Sequence, residues 1–100
     1  MNKKIKLLTL LVLISTSTFA QSIITGKILD QETLTPIQDV NIRFFDNSAG
    51  TTSLPDGTFQ LQTTKTKAYL ILSSIGYKER SIVLKINSSE IDMGTIFLQP

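Results

Sequence analysis

The 100-residue chain contains no cysteine, no histidine and no tryptophan. Without cysteine it can form neither a disulfide framework nor a thiol nucleophile, and it has no attachment point for a lipid on an N-terminal cysteine. Without histidine it has no histidine-assisted triad, and lacking both residue types it has no structural zinc site of the usual kind. Most hydrolase and redox chemistries go with them. What remains is acid chemistry by paired carboxylates, and no pair among Asp30, Glu32, Asp39, Asp46, Asp56, Glu79, Glu90 and Asp92 converges by its spacing. The chain is therefore expected not to be an enzyme, and no catalytic, cofactor-binding or metal-ligating residue is assigned. The length suits one small domain.

Charge points the same way once its distribution is read. The formal charge of +2 rests on ten basic against eight acidic residues. Lys3, Lys4 and Lys6 crowd the start, Leu7 to Ile14 is a short apolar run, and Ser15 to Ala20 is small and polar, ending Thr18-Phe19-Ala20 before Gln21. This is the layout of a secretory signal peptide with small residues flanking its cleavage site. The uncharged stretch from Leu7 to Ala20 falls short of the roughly 20 apolar residues that a bilayer core requires. Residues 1–20 are thus expected to be removed, leaving a domain over 21–100 with seven basic and eight acidic residues, a net charge of −1. No basic patch remains to argue for a nucleic-acid partner. An exported domain without disulfides fits a bacterial envelope, in the periplasm or at the outer membrane.

Residues 21–100 show a period of two rather than 3.6. Ile24 to Leu29 is a strand candidate ending at Asp30-Gln31-Glu32-Thr33, and Asp39 to Phe44 alternates with Val40, Ile42 and Phe44 on one face. Thr51 to Leu54 follows a loop at Asp46-Asn47-Ser48-Ala49-Gly50, and Pro55-Asp56-Gly57 is a tight-turn signature. Thr58 to Thr63 alternates with Phe59 and Leu61 inward. Ala68 to Ser73 is nearly continuous apolar, as a strand covered on both sides would be. Gly76 breaks it, Tyr77 to Ile86 resumes with Ile82, Leu84 and Ile86 in phase, and Met93 to Leu98 closes the chain. About seven short strands and no amphipathic helix predict an all-β fold, an antiparallel β-sandwich of two sheets. No internal repeat, low-complexity tract or linker interrupts it.

Four pieces in order carry a resemblance: Thr25-Gly26-Lys27-Ile28-Leu29-Asp30, Thr35-Pro36-Ile37-Gln38-Asp39-Val40-Asn41-Ile42, Gly50 through Leu61 with Asp56-Gly57 and Phe59, and Ser74-Ile75-Gly76-Tyr77. Together they resemble the carboxypeptidase regulatory-like domain, over nearly all of residues 21–100. Leu54-Pro55 and Val40 depart mildly from the family pattern, which more often has polar residues and a small residue there. The resemblance implies a transthyretin-like (prealbumin-like) sandwich without catalytic activity of its own. Similar domains accompany zinc carboxypeptidase domains, and others open TonB-dependent outer-membrane receptors for glycans and other nutrients, directly after a signal peptide.

The same residues have physical roles of their own. Gly57 is expected to need positive φ, Phe59 to anchor the core, and Tyr77 to pack its ring between the sheets with its hydroxyl on a backbone partner. Asp46, Asn47 and Asp56 offer oxygens on neighbouring loops to a Ca²⁺ ion, but they lack the every-other-residue acidic spacing of dedicated loops, and turn chemistry accounts for them. Asn87-Ser88-Ser89 matches a glycosylation sequon and reads as an exposed polar loop. The expected function is that of a non-catalytic exported interaction module. Its partner would be a protein or a neighbouring domain in the envelope, docked by strand addition. A truncated front of a nutrient receptor is the first alternative. Direct glycan recognition is the second, disfavoured because most of the aromatics are expected to face inward or lie in the leader.

Overall fold

Successive side chains of a strand point to opposite faces, so a chain that alternates apolar and polar residues can bury one face of a sheet against another. The computed structural model of the protein describes residues 21–100, so the signal peptide expected over 1–20 and the cleavage expected after Ala20 lie outside the described residues. Seven strands form: β1 (Ser22–Asp30), β2 (Asn41–Phe44), β3 (Gly50–Thr52), β4 (Thr58–Thr63), β5 (Lys67–Ser73), β6 (Arg80–Lys85) and β7 (Glu90–Leu98). No helix occurs among the described residues. The strands make a three-stranded sheet in the order β4-β1-β7 and a four-stranded sheet in the order β3-β2-β5-β6.

Their inward faces supply one core. Ile24 and Ile28 of β1, Phe59 and Leu61 of β4, and Ile96 and Leu98 of β7 meet Ile42 and Phe44 of β2 and Leu70 and Leu72 of β5. β1 sits in the middle of its sheet, and Gly26 lies directly opposite Phe59 in the β1–β4 register. A Cβ at Gly26 would stand 2.7 Å from Phe59 Cε1, so the missing side chain makes room for the Phe59 ring.

The antiparallel sandwich expected from the sequence carries one exception. β1 pairs β4, β2 pairs β3 and β5, and β5 pairs β6 antiparallel, but β1 and β7 run parallel, with Ile28 opposite Ile96. A parallel neighbour requires a long crossover. Here all the chain between β1 and β7 serves as that crossover, so no local turn signal marks the pair. The register shifts where β7 takes an extra residue near Gly94, whose φ of 67° and N–H bond to Asp92 Oδ1 at 2.8 Å shape a bulge.

Several boundaries move for physical reasons. Asp39 has a φ of 62°, so β2 begins at Asn41, although Val40 is fully buried. Gly76 at φ 88° and the turn bond from Tyr77 N to Ser74 O postpone β6 to Arg80 rather than Tyr77. β7 starts at Glu90, directly after the Asn87-Ser88-Ser89 loop and three residues before Met93, where the pattern placed it. The turn at Asp56-Gly57 forms as expected, with Gly57 at φ 82° and its N–H on Leu54 O at 2.8 Å. It is a corner rather than a hairpin, because β3 and β4 belong to different sheets. β5 is central between β2 and β6, with Ala68, Leu70 and Leu72 in the core; on its other face Ile71 is buried among neighbouring strands while Tyr69 projects to solvent.

Ser53 escaped the pattern reading altogether. It is 2% exposed, and its Oγ accepts the Val40 N–H at 2.9 Å and donates to Ile37 O at 2.7 Å. Those bonds satisfy buried backbone groups in the segment leading to β2, beside the main-chain bonds from Asp39 N to Ser53 O and from Ser53 N to Val40 O.

Candidate functional site

The carboxylates are the natural place to look for chemistry, and they serve the backbone. Asp30 closes β1 and is only 8% exposed. Its Oδ1 accepts the N–H groups of Glu32 at 2.8 Å and Thr33 at 3.0 Å, an Asx turn, and its Oδ2 accepts the Tyr77 hydroxyl at 2.7 Å. Tyr77 thus finds a carboxylate across 47 residues rather than the backbone partner expected. The Tyr77 hydroxyl and then the Thr33 N–H hold the Asp30 carboxyl below the usual range, and the same bond raises the Tyr77 phenol.

The signs of these shifts predict a pH profile. The contribution of Asp30 is present above its unfolded value, about 3.9, and is lost as pH falls through the lower folded value. The contribution of Tyr77 is present below about 10 and is lost as pH rises through its raised folded value. Thermal melts of Tyr77→Phe against the parent are therefore expected to show the widest gap near neutrality, narrowing toward both extremes. A gap independent of pH would remove the Asp30–Tyr77 bond as its cause.

The loop oxygens weighed for Ca²⁺ are not brought together around a common point. Asp46 Oδ1 accepts the Ser48 N–H and its Oδ2 pairs with Lys65, which holds the carboxyl far below the usual range. Asn47 Oδ1 accepts from Arg43 at 3.3 Å. Asp56 Oδ1 takes the hydroxyl and the N–H of Thr58, on the corner that follows β3. Among the described residues no three Asp, Glu, His or Cys side chains gather where a metal ion could sit. Asn87 is exposed in its loop, and Ser88 O accepts the Ser22 hydroxyl at 2.8 Å, tying that loop to the start of β1.

What the molecule presents is surface, in two forms. The first is open edges. β3 is three residues long, β7 is bulged at Gly94, and β6 begins and ends on cations, Arg80 and Lys85. β4, Thr-Phe-Gln-Leu-Gln-Thr, is an edge strand with no charge and no proline, and its register with β1 is unbroken. Short strands, bulges, charges and prolines are the devices that blunt an edge. β4 alone of the four has none.

The second form is exposed aromatic surface, made by the three rings that are exceptions to the expectation that most aromatics face inward or lie in residues 1–20. Phe44 and Phe59 are buried and Tyr77 is half-buried, but Phe45 is 70% exposed, Tyr69 54% and Phe97 38%. The rings of Phe45 and Tyr69 meet edge to face with centroids 6.4 Å apart. The signal available in the sequence was phase: Tyr69 alternates with the inward Ala68 and Leu70.

Two packed β-sheets with a shared core define a β-sandwich domain. The chain belongs to the CarboxypepD_reg-like domain family, whose model matches residues 24–99. No curated protein sequence matches it. Among solved structures it resembles a chain of a type II cohesin–X-dockerin complex from Acetivibrio cellulolyticus, at 11% identity and a TM-score of 0.65 over 77% of this chain and 56% of that one. The pilus 2b backbone protein of group B streptococcus matches at 15% identity and a TM-score of 0.54, over 78% of this chain and 40% of that one. An enzyme, 3-chlorocatechol 1,2-dioxygenase from Rhodococcus opacus 1CP, matches at 15% identity and a TM-score of 0.58, over 84% of this chain and 61% of that one. The chain spans about half the length of the first of these. At such identities the likeness is one of fold, and the same fold in an enzyme and in assembly proteins leaves function to the site.

Proposed function

We propose that the protein is an exported, non-catalytic interaction module of a bacterial cell envelope that receives a partner strand on the edge of β4. The observation that carries this reading is the unprotected β4 edge, six residues without charge, proline or bulge, in a domain whose lowered carboxylates are all engaged in turns and caps. A partner strand would gain main-chain hydrogen bonds along that edge, and the alternating side chains of β4 would set its register. Support also comes from the family, a regulatory-like sandwich, and from the setting of the first structural relative, a protein–protein complex. The leader at 1–20 supports export.

A photo-crosslinking residue at Gln60 or Gln62, introduced into the full chain in a Gram-negative host, tests this. Envelope fractions are expected to hold a form beginning at Gln21 and to give a discrete protein adduct from the β4 positions but none from Thr25 on central β1. Retention of residues 1–20 in the cytoplasm, or equal labelling from Thr25, would defeat the reading.

A further inference from the structure

The two outer faces of the sandwich differ in chemistry. The outer face of β4-β1-β7 is polar at its middle, with Thr25, Lys27, Thr58, Gln60, Asp92 and Thr95, and its apolar residues, Ile23 at one end and Leu29 opposite Phe97 at the other, are separated by that polar stretch. The outer face of β3-β2-β5-β6 is apolar at its centre and cationic at its rim. Tyr69 lies opposite Val83 in the β5–β6 register, Phe45 packs its ring against Tyr69 and bonds its N–H to Tyr69 O, and Val83 is 52% exposed. Around them stand Arg43, Lys67 and Lys85, three of the seven basic residues of a domain whose net charge is negative.

Lys67 and Lys85 lie directly opposite one another on that face. Like charges in cross-strand register destabilise a sheet. Among the described residues the sole ion pair is Lys65–Asp46, so no carboxylate within the domain relieves the repulsion between Lys67 and Lys85. A local conflict of this kind marks a place shaped by something other than folding. A cleft of about 170 Å³ opens beside Lys67, lined by Phe45, Ala68 and Tyr69 and by Lys65, whose charge is already paired with Asp46, so that Lys67 is its unpaired cation. That is below the roughly 300–1,000 Å³ of small-molecule sites and suits a single side chain.

From this arrangement we infer that the outer face of the four-stranded sheet docks an acidic, extended segment of a partner protein, which lays one apolar side chain against the Phe45–Tyr69 ring pair and sets carboxylates against Lys67 and Lys85. An apolar centre with exposed aromatics inside a charged rim is the anatomy of a protein interface. The rings meet at 61° and the exposed residue beside them, Val83, is aliphatic, so the face offers no coplanar platform on which a sugar or a base would stack. A second copy of the chain presents the same cations, which oppose face-to-face pairing. This surface is separate from the β4 edge, so either can fail alone.

The test uses protein exported from cells that express the full chain. The probe is a fluorescent ten-residue peptide alternating glutamate and valine, with one central valine replaced by phenylalanine. Saturable binding by anisotropy is expected, weakened at least tenfold by Lys67→Glu/Lys85→Glu and by Tyr69→Ser, and unchanged by Lys27→Glu on the opposite face. Lys67→Glu alone is expected to raise the melting temperature, since it turns a repulsive pair into an attractive one; this readout needs no ligand. Absence of saturable binding, binding indifferent to the Lys67→Glu/Lys85→Glu change, or a lower melting temperature for Lys67→Glu overturns the inference. So does tighter binding of polygalacturonate or oligothymidylate that survives Tyr69→Ser, which would assign the face to a glycan or a nucleic acid.

Discussion

Gly57→Ala is expected to remove about 3–5 kcal/mol of stability, enough to leave much of the domain unfolded at 37 °C, since about 0.05–0.15 kcal/mol per residue gives a chain of this size roughly 4–12 kcal/mol. Two effects combine. Gly57 has a φ of 82°, where an L side chain costs about 1–2 kcal/mol. A Cβ there would also stand 2.5 Å from Ile28 O and 3.2 Å from Pro36 Cβ. The first of these is backbone, and it is engaged: Ile28 O accepts the Ile37 N–H at 3.1 Å, while Ile28 N donates to Gly57 O at 2.8 Å. Relief of the clash must therefore part the corner from β1 and loosen the segment leading to β2. Gly76→Ala is the control, because Gly76 has a φ of 88° but no atom within 4 Å of its would-be Cβ. Urea unfolding should show Gly76→Ala losing only the backbone share, and equal losses for the two variants would refute the role given to Ile28 O.

Gly57 was legible because a Pro-Asp-Gly turn states its own geometry within a few residues. The same locality made most of the core legible: Ile42 with Phe44, and Phe59 with Leu61, declare a common face by their spacing alone. What stayed hidden depends on partners distant in the chain. Ser53 sits in Thr-Thr-Ser-Leu, which reads as a polar edge, and only the return of Ile37 and Val40 to its side turns its hydroxyl into a buried bridge. The parallel β1–β7 pair and the Asp30–Tyr77 bond are closed by chain segments too long to leave a turn signal. The candidate surface was misread for a related reason. Tyr-Leu-Ile-Leu in β5 is apolar enough for a strand covered on both faces, yet the second layer that would cover its outer face is absent among the described residues, and Tyr69 and Val83 face solvent together.

That exposed pair bears on how the domain divides its labour. The core needs one face of each sheet, and the inward residues of β1, β2, β4, β5 and β7 supply it without help from Phe45, Tyr69 or Val83. Substitutions on the outer face can therefore alter binding while the fold persists, whereas substitutions at the corner or beneath Phe59 cannot. The separation is what makes surface variants informative here: loss of partner contact in a variant that melts normally is attributable to the surface itself.

The contact beneath Phe59 should show the opposite behaviour, a strong coupling inside the fold. Phe59→Ala is expected to lose about 3–5 kcal/mol, the range for truncating a buried phenylalanine. Gly26→Ala is expected to lose about 1–3 kcal/mol by overpacking, because its Cβ would meet Phe59 Cε1 at 2.7 Å and Phe59 Cζ at 2.8 Å in a ring that is itself 4% exposed. The ring fills the space of the absent side chain on the central strand, a glycine covered by a cross-strand aromatic. If that is the relation, the two sites compensate. Leucine at position 59 withdraws the ring atoms that a methyl group at position 26 would strike, so Gly26→Ala in a Phe59→Leu background should cost at least about 1 kcal/mol less than in the parent, within the span of coupling energies for residues in contact. Urea midpoints for the four members of the cycle, compared at a common slope, measure that difference. Additive losses would mean that Gly26 is required for its backbone rather than for the ring above it, although Gly26 is not among the glycines with positive φ.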